Sequence, residues 1–302
     1  MIVVERSGLR TTVQDRGRVG LAHLGVPRSG AADRFSAGLA NLVVGNPVDA
    51  AVLETTLTGP TLRFETSVVV AVTGAIADVL LDGEPVDYGV AAWISPGQRL
   101  SVGTAREGLR CYLALAGGVD VAPVLGSRST DTLSGIGPAS LTAGQVLPIG
   151  ALPIASSGSV AAPIGAGEEL EELLSSVLPR ARRKVRVIRG PDASDATMNS
   201  LCSQRFSVSP NSDRVGVRLT GPAVPGGGEA PTAGMVAGAI QLPPDGAPVV
   251  LLADHAVTGG YRVAAVVIDA DLPVVAQSRP GVGVEFQEVT APAVRKAWLA
   301  RG

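Results

Sequence analysis

The residues best equipped for chemistry stand in four polar clusters set among glycines and prolines. The first, Thr11 to Arg34, mixes Gln14, Asp15, Arg16, Arg18, Ser29 and Asp33 with four glycines. Such a loop presents acid, amide and guanidinium groups to a ligand or partner; the same residues also suit turns and a helix cap, with Asp15 and Arg18 in local ion pairs. The second, Leu125-Gly126-Ser127-Arg128-Ser129-Thr130, follows Ala116-Gly117-Gly118 at a strand end. Its successive N–H groups, its hydroxyls and the Arg128 guanidinium fit an anion such as a carboxylate or phosphate, unless Arg128 caps carbonyl groups in a tight turn. In the third, Asn211 to Arg218, Asp213 and Arg214 either touch a ligand or bracket a turn.

The fourth cluster is the richest. It runs from Gly238 to Gly246, through the apolar Val249 to Leu252, and on from Ala253 to Tyr261. Pro243 and Pro244 fix a turn that sets Gln241 and Asp245 in place. Asp254 and Thr258 flank Gly259 and Gly260, where backbone approaches a ligand closely, and Tyr261 is one of 3 tyrosines. Asp245 and Asp254 are the candidate catalytic carboxylates. Gln14, Asp15, Arg18, Arg128, Ser129, Thr130, Asp213, Arg214, Gln241, Thr258, Gly259, Gly260 and Tyr261 are the candidate binding residues. His255 is an acid or base by type, although a lone His beside an Asp is more often a satisfied structural residue.

Other chemistries lack their signatures. There is no phosphate-binding Gly-x-x-x-x-Gly-Lys loop, no dinucleotide fingerprint, no Gly-x-Ser-x-Gly elbow and no His-Glu-x-x-His. His23 and His255, the 2 histidines, exclude a His-rich metal site, and no metal is expected. Lys184 and Lys296 are the only lysines, and neither has the Met-Lys context of a biotin carrier. The chain is expected to carry no cofactor of its own, and ATP chemistry would be shared with a partner.

Elements must position these clusters. Charged residues make up 17% of the 302, against roughly 25% in soluble domains, so the polar coat is thin. With 38 Gly and 22 Pro but no three-residue period, the chain is rich in turns, which excludes collagen and an all-helical bundle. A net charge of −2 and 3% aromatics exclude a basic groove with stacking platforms for nucleic acid. Cys111 and Cys202 lie 91 residues apart, which is neither a disulfide framework nor a metal spacing and fits a reducing cytoplasm. Met1 to Leu9 lacks the apolar core of a signal peptide, and runs such as Val68 to Val72 fall far short of the roughly 20 residues a membrane helix needs.

Short Val-, Ile- and Leu-rich runs bounded by turn residues predict strands at 67–72, 77–81, 91–94, 110–115, 185–188, 215–219, 249–252 and 263–268. Helices are expected at 31–44 with Ser29 as N-cap, at 167–178 with an acidic first turn, and at 291–300. The Ala-, Gly-, Ser- and Pro-rich stretch after Gly150 reads as a linker. This gives an N-terminal lobe at 1–150, a linker with an acidic helix at 151–183 and a C-terminal lobe at 184–302. Short matches recur across it. Leu57-Thr58-Gly59-Pro60 returns at Leu219, 162 residues on; Gly74-Ala75-Ile76 returns at Gly238, after 164; and Asp82-Gly83-x-Pro85-Val86 returns at Asp245, after 163. Three matches in register predict two similar β-rich lobes.

In order and spacing these clusters resemble a known family. The motifs are QDRGRxG, GVPRSGAADR, LETTLTGPTLRF, LALAGG and LGSRST, then NSDRVGVRLTGP, GAIQLPPDGAPVVLLAD and TGGY. Together, from Gly8 to about Phe286, they are similar to the allophanate hydrolase subunit 2 family, also called biotin-dependent carboxyltransferase-like. That family includes the C subunit of 5-oxoprolinase and the antagonist of the Kip kinase inhibitor. The resemblance implies a mainly β fold of two cyclophilin-like barrel lobes and a cytoplasmic component of an ATP-dependent 5-oxoprolinase that opens a lactam. It also implies two partners: a homologue of the subunit 1 family, which is the Kip inhibitor-like B subunit, and the A subunit, of LamB/YcsF type. Under this reading Arg128 takes an anionic group, Gln241 and Asp245 the amide, and Asp254, Thr258 and Tyr261 line the site. The family's alternatives are transfer of carboxyl from carboxybiotin to a urea-like amide, with biotin on a separate protein, and non-catalytic antagonism of a kinase-inhibitor partner. The sequence departs from the family where Thr232-Ala233-Gly234 replaces Ser-Glu-Gly and where Val257 and Arg262 replace Thr and Pro around Thr258-Gly259-Gly260-Tyr261. A possible acid near the Gln241 loop is thereby lost. With so little charge, part of the apolar surface is expected to be covered by a partner.

Overall fold

Alternating and apolar runs become strands where β-branched residues fit a pleated, half-buried surface. A computed structural model describes residues 1–151, 184–293 and 295. The described residues divide into two units, one of Met1–Val19 with residues 29–151, the other of Gly20–Arg28 with residues 184–293 and 295. No helix among them is long and apolar enough to cross a membrane.

The first unit holds β1 (Ile2–Arg6), β2 (Arg10–Gln14), β3 (Val52–Thr56), β4 (Thr61–Phe64), β5 (Val68–Leu81), β6 (Glu84–Pro85), β7 (Ala92–Ile94), β8 (Arg99–Leu115) and β9 (Val146–Leu147). Its open sheet has the order β2-β3-β8-β4-β1-β9, and β5 joins it through β8 and carries β6 and β7. The two strands expected at 67–72 and 77–81 are the single strand β5. Gly74, at φ 91, takes left-handed backbone in mid-strand, and the register against β8 shifts there. The core gathers Ile2, Val13, Leu39, Phe64, Leu113 and Leu115.

Helix α1 (Arg34–Val43) packs on β5 and β8. It is shorter than the expected span, and its N-cap is Asp33 rather than Ser29. The Asp33 carboxylate accepts the Ser36 N–H at 3.0 Å and the Ser36 hydroxyl at 2.6 Å. Ser29 instead adopts φ 56 and turns its hydroxyl inward to the Thr130 carbonyl at 2.9 Å.

The second unit holds β10 (Val185–Arg189), β11 (Arg205–Val208), β12 (Gly216–Thr220), β13 (Glu229–Gly234), β14 (Ala239–Leu242), β15 (Val249–Leu251), β16 (Thr258–Val267) and β17 (Gly283–Glu288). The order is β10-β17-β11-β12-β15-β14-β16-β13, and an added β10–β16 pairing closes seven strands into a barrel, with β13 outside the ring. Phe206 and Phe286 meet in it at 6.0 Å between ring centroids. Helices α2 (Asp195–Ser203) and α3 (Leu272–Ala276) add to those expected from the sequence. α2 is poor in strong helix formers and is fixed by Ser194, which accepts the Thr197 N–H at 3.1 Å. Of the other expected helices, 167–178 lies outside the described residues, and in 291–300 only 291–293 and 295 are described, as helix.

The chain is thus mainly β, with an open half-barrel and a closed barrel that are two cyclophilin-like lobes. Two of the three recurring sequence matches share local geometry, whereas Leu57 follows β3 at φ 62 and Leu219 lies within β12. Gly74 and Gly238 share left-handed backbone, at φ 91 and 87. Asp82-Gly83 turns β5 into β6, as Asp245-Gly246 turns β14 into β15.

Candidate functional site

In the first unit β2 delivers Gln14 and Asp15 to the 125–131 loop. One Asp15 carboxylate oxygen accepts the Gly17 N–H at 2.8 Å, the Ser127 hydroxyl at 2.7 Å and the Ser129 hydroxyl. The other accepts the Arg128 N–H at 2.7 Å. Burial pushes the Asp15 carboxyl upward, but the Ser127 and Ser129 hydroxyls and the two N–H groups outweigh it and hold the group below the usual carboxylate range. The turn does cradle an anion, and that anion is Asp15 of the same chain.

Two arginines there have distinct tasks. Arg18 is buried and caps carbonyls, Ser129 at 2.7 Å and Val124 at 3.2 Å. Arg128 reaches outward to Asp120 at 2.7 Å. Gly137 packs against this knot at φ 93, where a Cβ would lie 2.1 Å from the Ser129 oxygen. The Gln14 amide donates to the Thr12 hydroxyl at 3.0 Å and the Thr130 carbonyl at 2.9 Å. Gln14 Oε1 and Thr130 Oγ1 are buried with no partner among the described residues.

A second polar centre in this unit is built on Glu54, Arg110 and Tyr112, outside the four sequence clusters, and touches the first cluster at Ala32 and Asp33. Glu54 of β3 and Arg110 of β8 face each other at 3.6 Å, with side chains 1% and 3% exposed. Glu54 also accepts the Tyr112 hydroxyl at 2.9 Å and the Ala32 N–H at 2.8 Å, and the Tyr112 oxygen accepts the Asp33 N–H at 2.8 Å. Burial, then the Glu54 and Asp33 carboxylates, raise the Tyr112 phenol well above its ordinary pKa and keep it a neutral donor. A signal for it exists in the sequence: Glu54 follows the apolar Ala51 to Leu53 and Arg110 opens the run Cys111 to Leu115, and buried charges are paired.

In the second unit Arg214 and Asp254 form a two-point ion pair, Nε to Oδ2 and Nη2 to Oδ1, both at 2.9 Å, with side chains 2% and 0% exposed. Both carboxylate oxygens are engaged, which suits a clamp better than an acid or base. Asp213 brackets a turn, its Oδ1 accepting the Val215 and Gly216 N–H groups at 2.8 and 3.1 Å. Asp245 is exposed in the β14–β15 turn and accepts the Ala247 N–H at 3.0 Å. Asp245 and Asp254 stand before and after β15, the first exposed and the second fully buried. His255 sets its Nδ1 2.8 Å from the Ala256 carbonyl.

Gln241, Thr258, Gly259, Gly260 and Tyr261 do share one sheet region. The last four are the start of β16, not a loop, and Tyr261 is 42% exposed. Gln241 on β14 pairs with Val249 and Val263, so its side chain shares their face. Its Nε2 lies 3.4 Å from the Met235 sulfur. A Cβ on Gly259 would lie 2.5 Å from that Nε2, so the glycine makes room for the amide. Ala233 of β13 pairs with Gly259, and Gly234 with Thr258, which puts the departure from the family pattern beside this amide.

Two cyclophilin-like lobes carrying these clusters define a carboxyltransferase-type domain. Residues 24–288 match the carboxyltransferase domain, subdomain A and B, and the chain belongs to that family. Among particular proteins, it is 35% identical to the C subunit of 5-oxoprolinase from Escherichia coli, over 98% of this chain and 94% of that one. It is 34% identical to urea amidolyase of Lachancea kluyveri, over 97% of this chain but 17% of that one. The solved K. lactis urea amidolyase superposes with a TM-score of 0.87 at 31% identity, over 99% of this chain and 19% of that one.

Proposed function

We propose that this protein is the C subunit of an ATP-dependent 5-oxoprolinase, which opens the lactam of 5-oxoproline to glutamate together with partner subunits. The observation that carries the reading is the end-to-end match to its E. coli counterpart, 94% of which is covered, whereas the urea amidolyase of L. kluyveri is covered over only 17%. The partners are a subunit 1 family protein and a LamB/YcsF-type protein, and the setting is cytoplasmic, in keeping with two free cysteines.

An unstrained lactam is a poor electrophile, and phosphorylation of its oxygen by ATP makes attack by water feasible. This chain's residues do not fit the ATP phosphates at the turn best suited to anions, because Asp15 fills the Ser127–Ser129 donors. In this reading ATP is used by the complex through its partner subunits, and this chain binds and orients the lactam. Gln241 serves that role, since a carboxamide offers a donor and an acceptor side by side to a lactam's C=O and N–H.

Reconstituting the three proteins with ATP and 5-oxoproline tests the reading; glutamate release that requires this chain is expected, and its absence from an assembled complex would refute it. The carboxyltransferase reading draws on the family match; carboxylation of urea by a carboxybiotin carrier in the presence of this chain would select it. The antagonist reading draws on Thr232-Ala233-Gly234, and predicts tight binding of the subunit 1 protein with no lactam turnover.

A further inference from the structure

A buried side-chain amide in an apolar setting is costly unless its hydrogen bonds are made. Gln241 is 8% exposed, and the one hydrogen bond of its side chain among the described residues goes to the Met235 sulfur. A thioether is a weak acceptor. Gln241 pairs with Val249 and Val263 and touches Met235, all three members of a small apolar cluster with Ala239 and Leu251. The amide thus sits against a small hydrocarbon patch with its hydrogen-bonding capacity largely unspent.

We infer that this patch is the subsite for the ring of a small lactam or urea-type ligand, and that Met235 is a positioning residue that holds Gln241 ready for it. The inference rests on the proposed function and adds the place and the orientation. Gln241 Nε2 exchanges the sulfur for the ligand's C=O, and Oε1 accepts its cis N–H. The ring methylenes lie on Val263 and Leu251. Gly259 leaves the approach to Nε2 open, since any Cβ there would come within 2.5 Å of that nitrogen. No covalent step is involved.

The test follows the Gln241 side-chain N–H resonances in the full-length chain, alone and in the assembled complex, assigned by their loss in Gln241→Leu. Titration with 5-oxoproline is expected to shift them, and N-methyl-5-oxoproline, which lacks the N–H, is expected to bind at least about tenfold more weakly. Gly259→Ala is expected to weaken 5-oxoproline binding to a similar extent while the barrel stays folded, because the obstructed atom is the end of a side chain. Met235→Leu keeps the volume and removes the acceptor; it is expected to move the resonances in the free chain and raise KM several-fold with kcat unchanged. A complex that turns over 5-oxoproline while these resonances stay fixed overturns the subsite and leaves the proposed function standing. Resonances that shift with urea or 2-pyrrolidinone in a complex without turnover do the reverse.

Discussion

Arg214 and Asp254, 40 residues apart in the chain, face each other through two hydrogen bonds of 2.9 Å, with almost no surface left to solvent. The pair ties the turn before β12 to the loop after β15, and the Asp254 N–H adds a bond to the Arg214 carbonyl at 2.9 Å. Removing one charge strands the other. Asp254→Asn is expected to cost about 3–5 kcal/mol, read as a drop in the urea midpoint, while Arg214→Met with Asp254→Leu recovers most of the loss. A single variant as stable as the native chain would show that the pair is not a clamp.

Asp15 makes stability depend on acid. Its folded pKa lies below the unfolded value of about 3.9, so the fold favours the carboxylate. That contribution is complete above the unfolded value and is lost as pH falls through the folded one. Urea midpoints between pH 5 and 3 should fall more steeply for the native chain than for Asp15→Asn, which starts less stable at neutral pH. Parallel slopes would count against this role.

Tyr112 joins Glu54 to the start of α1. Tyr112→Phe removes a donor from a buried carboxylate and an acceptor from the Asp33 N–H, at an expected cost of about 1–3 kcal/mol. Thermal melting of the variant checks it, and an unchanged midpoint would mean that water replaces the hydroxyl without loss.

The two cysteines should differ in reactivity. Cys111 is buried and its thiol is pushed up to about 12, chiefly by burial, so it has almost no thiolate at pH 8. Cys202 is only half-buried, though its thiol is raised as well. Iodoacetamide at pH 8 is expected to label Cys202 first and Cys111 only as denaturant opens the first unit, with mass spectrometry of peptides as the readout. Early labelling of Cys111 would contradict its burial on β8 opposite Gly74 of β5.

Strand positions are legible in the sequence because they are local: apolar runs between turn residues map onto β7, β10, β12 and β15 within a residue or two. The lobes' likeness is legible because turn chemistry repeats, with Gly74 and Gly238 each needing left-handed backbone. Partnerships are not, because they depend on distant chain segments. Asp15 and Arg128 are both conspicuous, but nothing local shows that the backbone beside Arg128 binds Asp15 from 113 residues away. Arg214 invites pairing with its neighbour Asp213, whereas its partner is Asp254. Met235 carries no motif and gains meaning only through its distance to Gln241.

The closed barrel has one more consequence. β10, the first strand of the barrel, lies parallel to β17, its last, with Val185 opposite Phe286 and Val187 opposite Glu288. At about 3.3 Å per residue and 4.8 Å between strands, the start of the first barrel strand at Val185 and the end of the last at Glu288 are roughly 8 Å apart. A strand barrel whose first and last strands end side by side can be carried by a longer polypeptide without stretching it, as a bead is set into a necklace through a clasp.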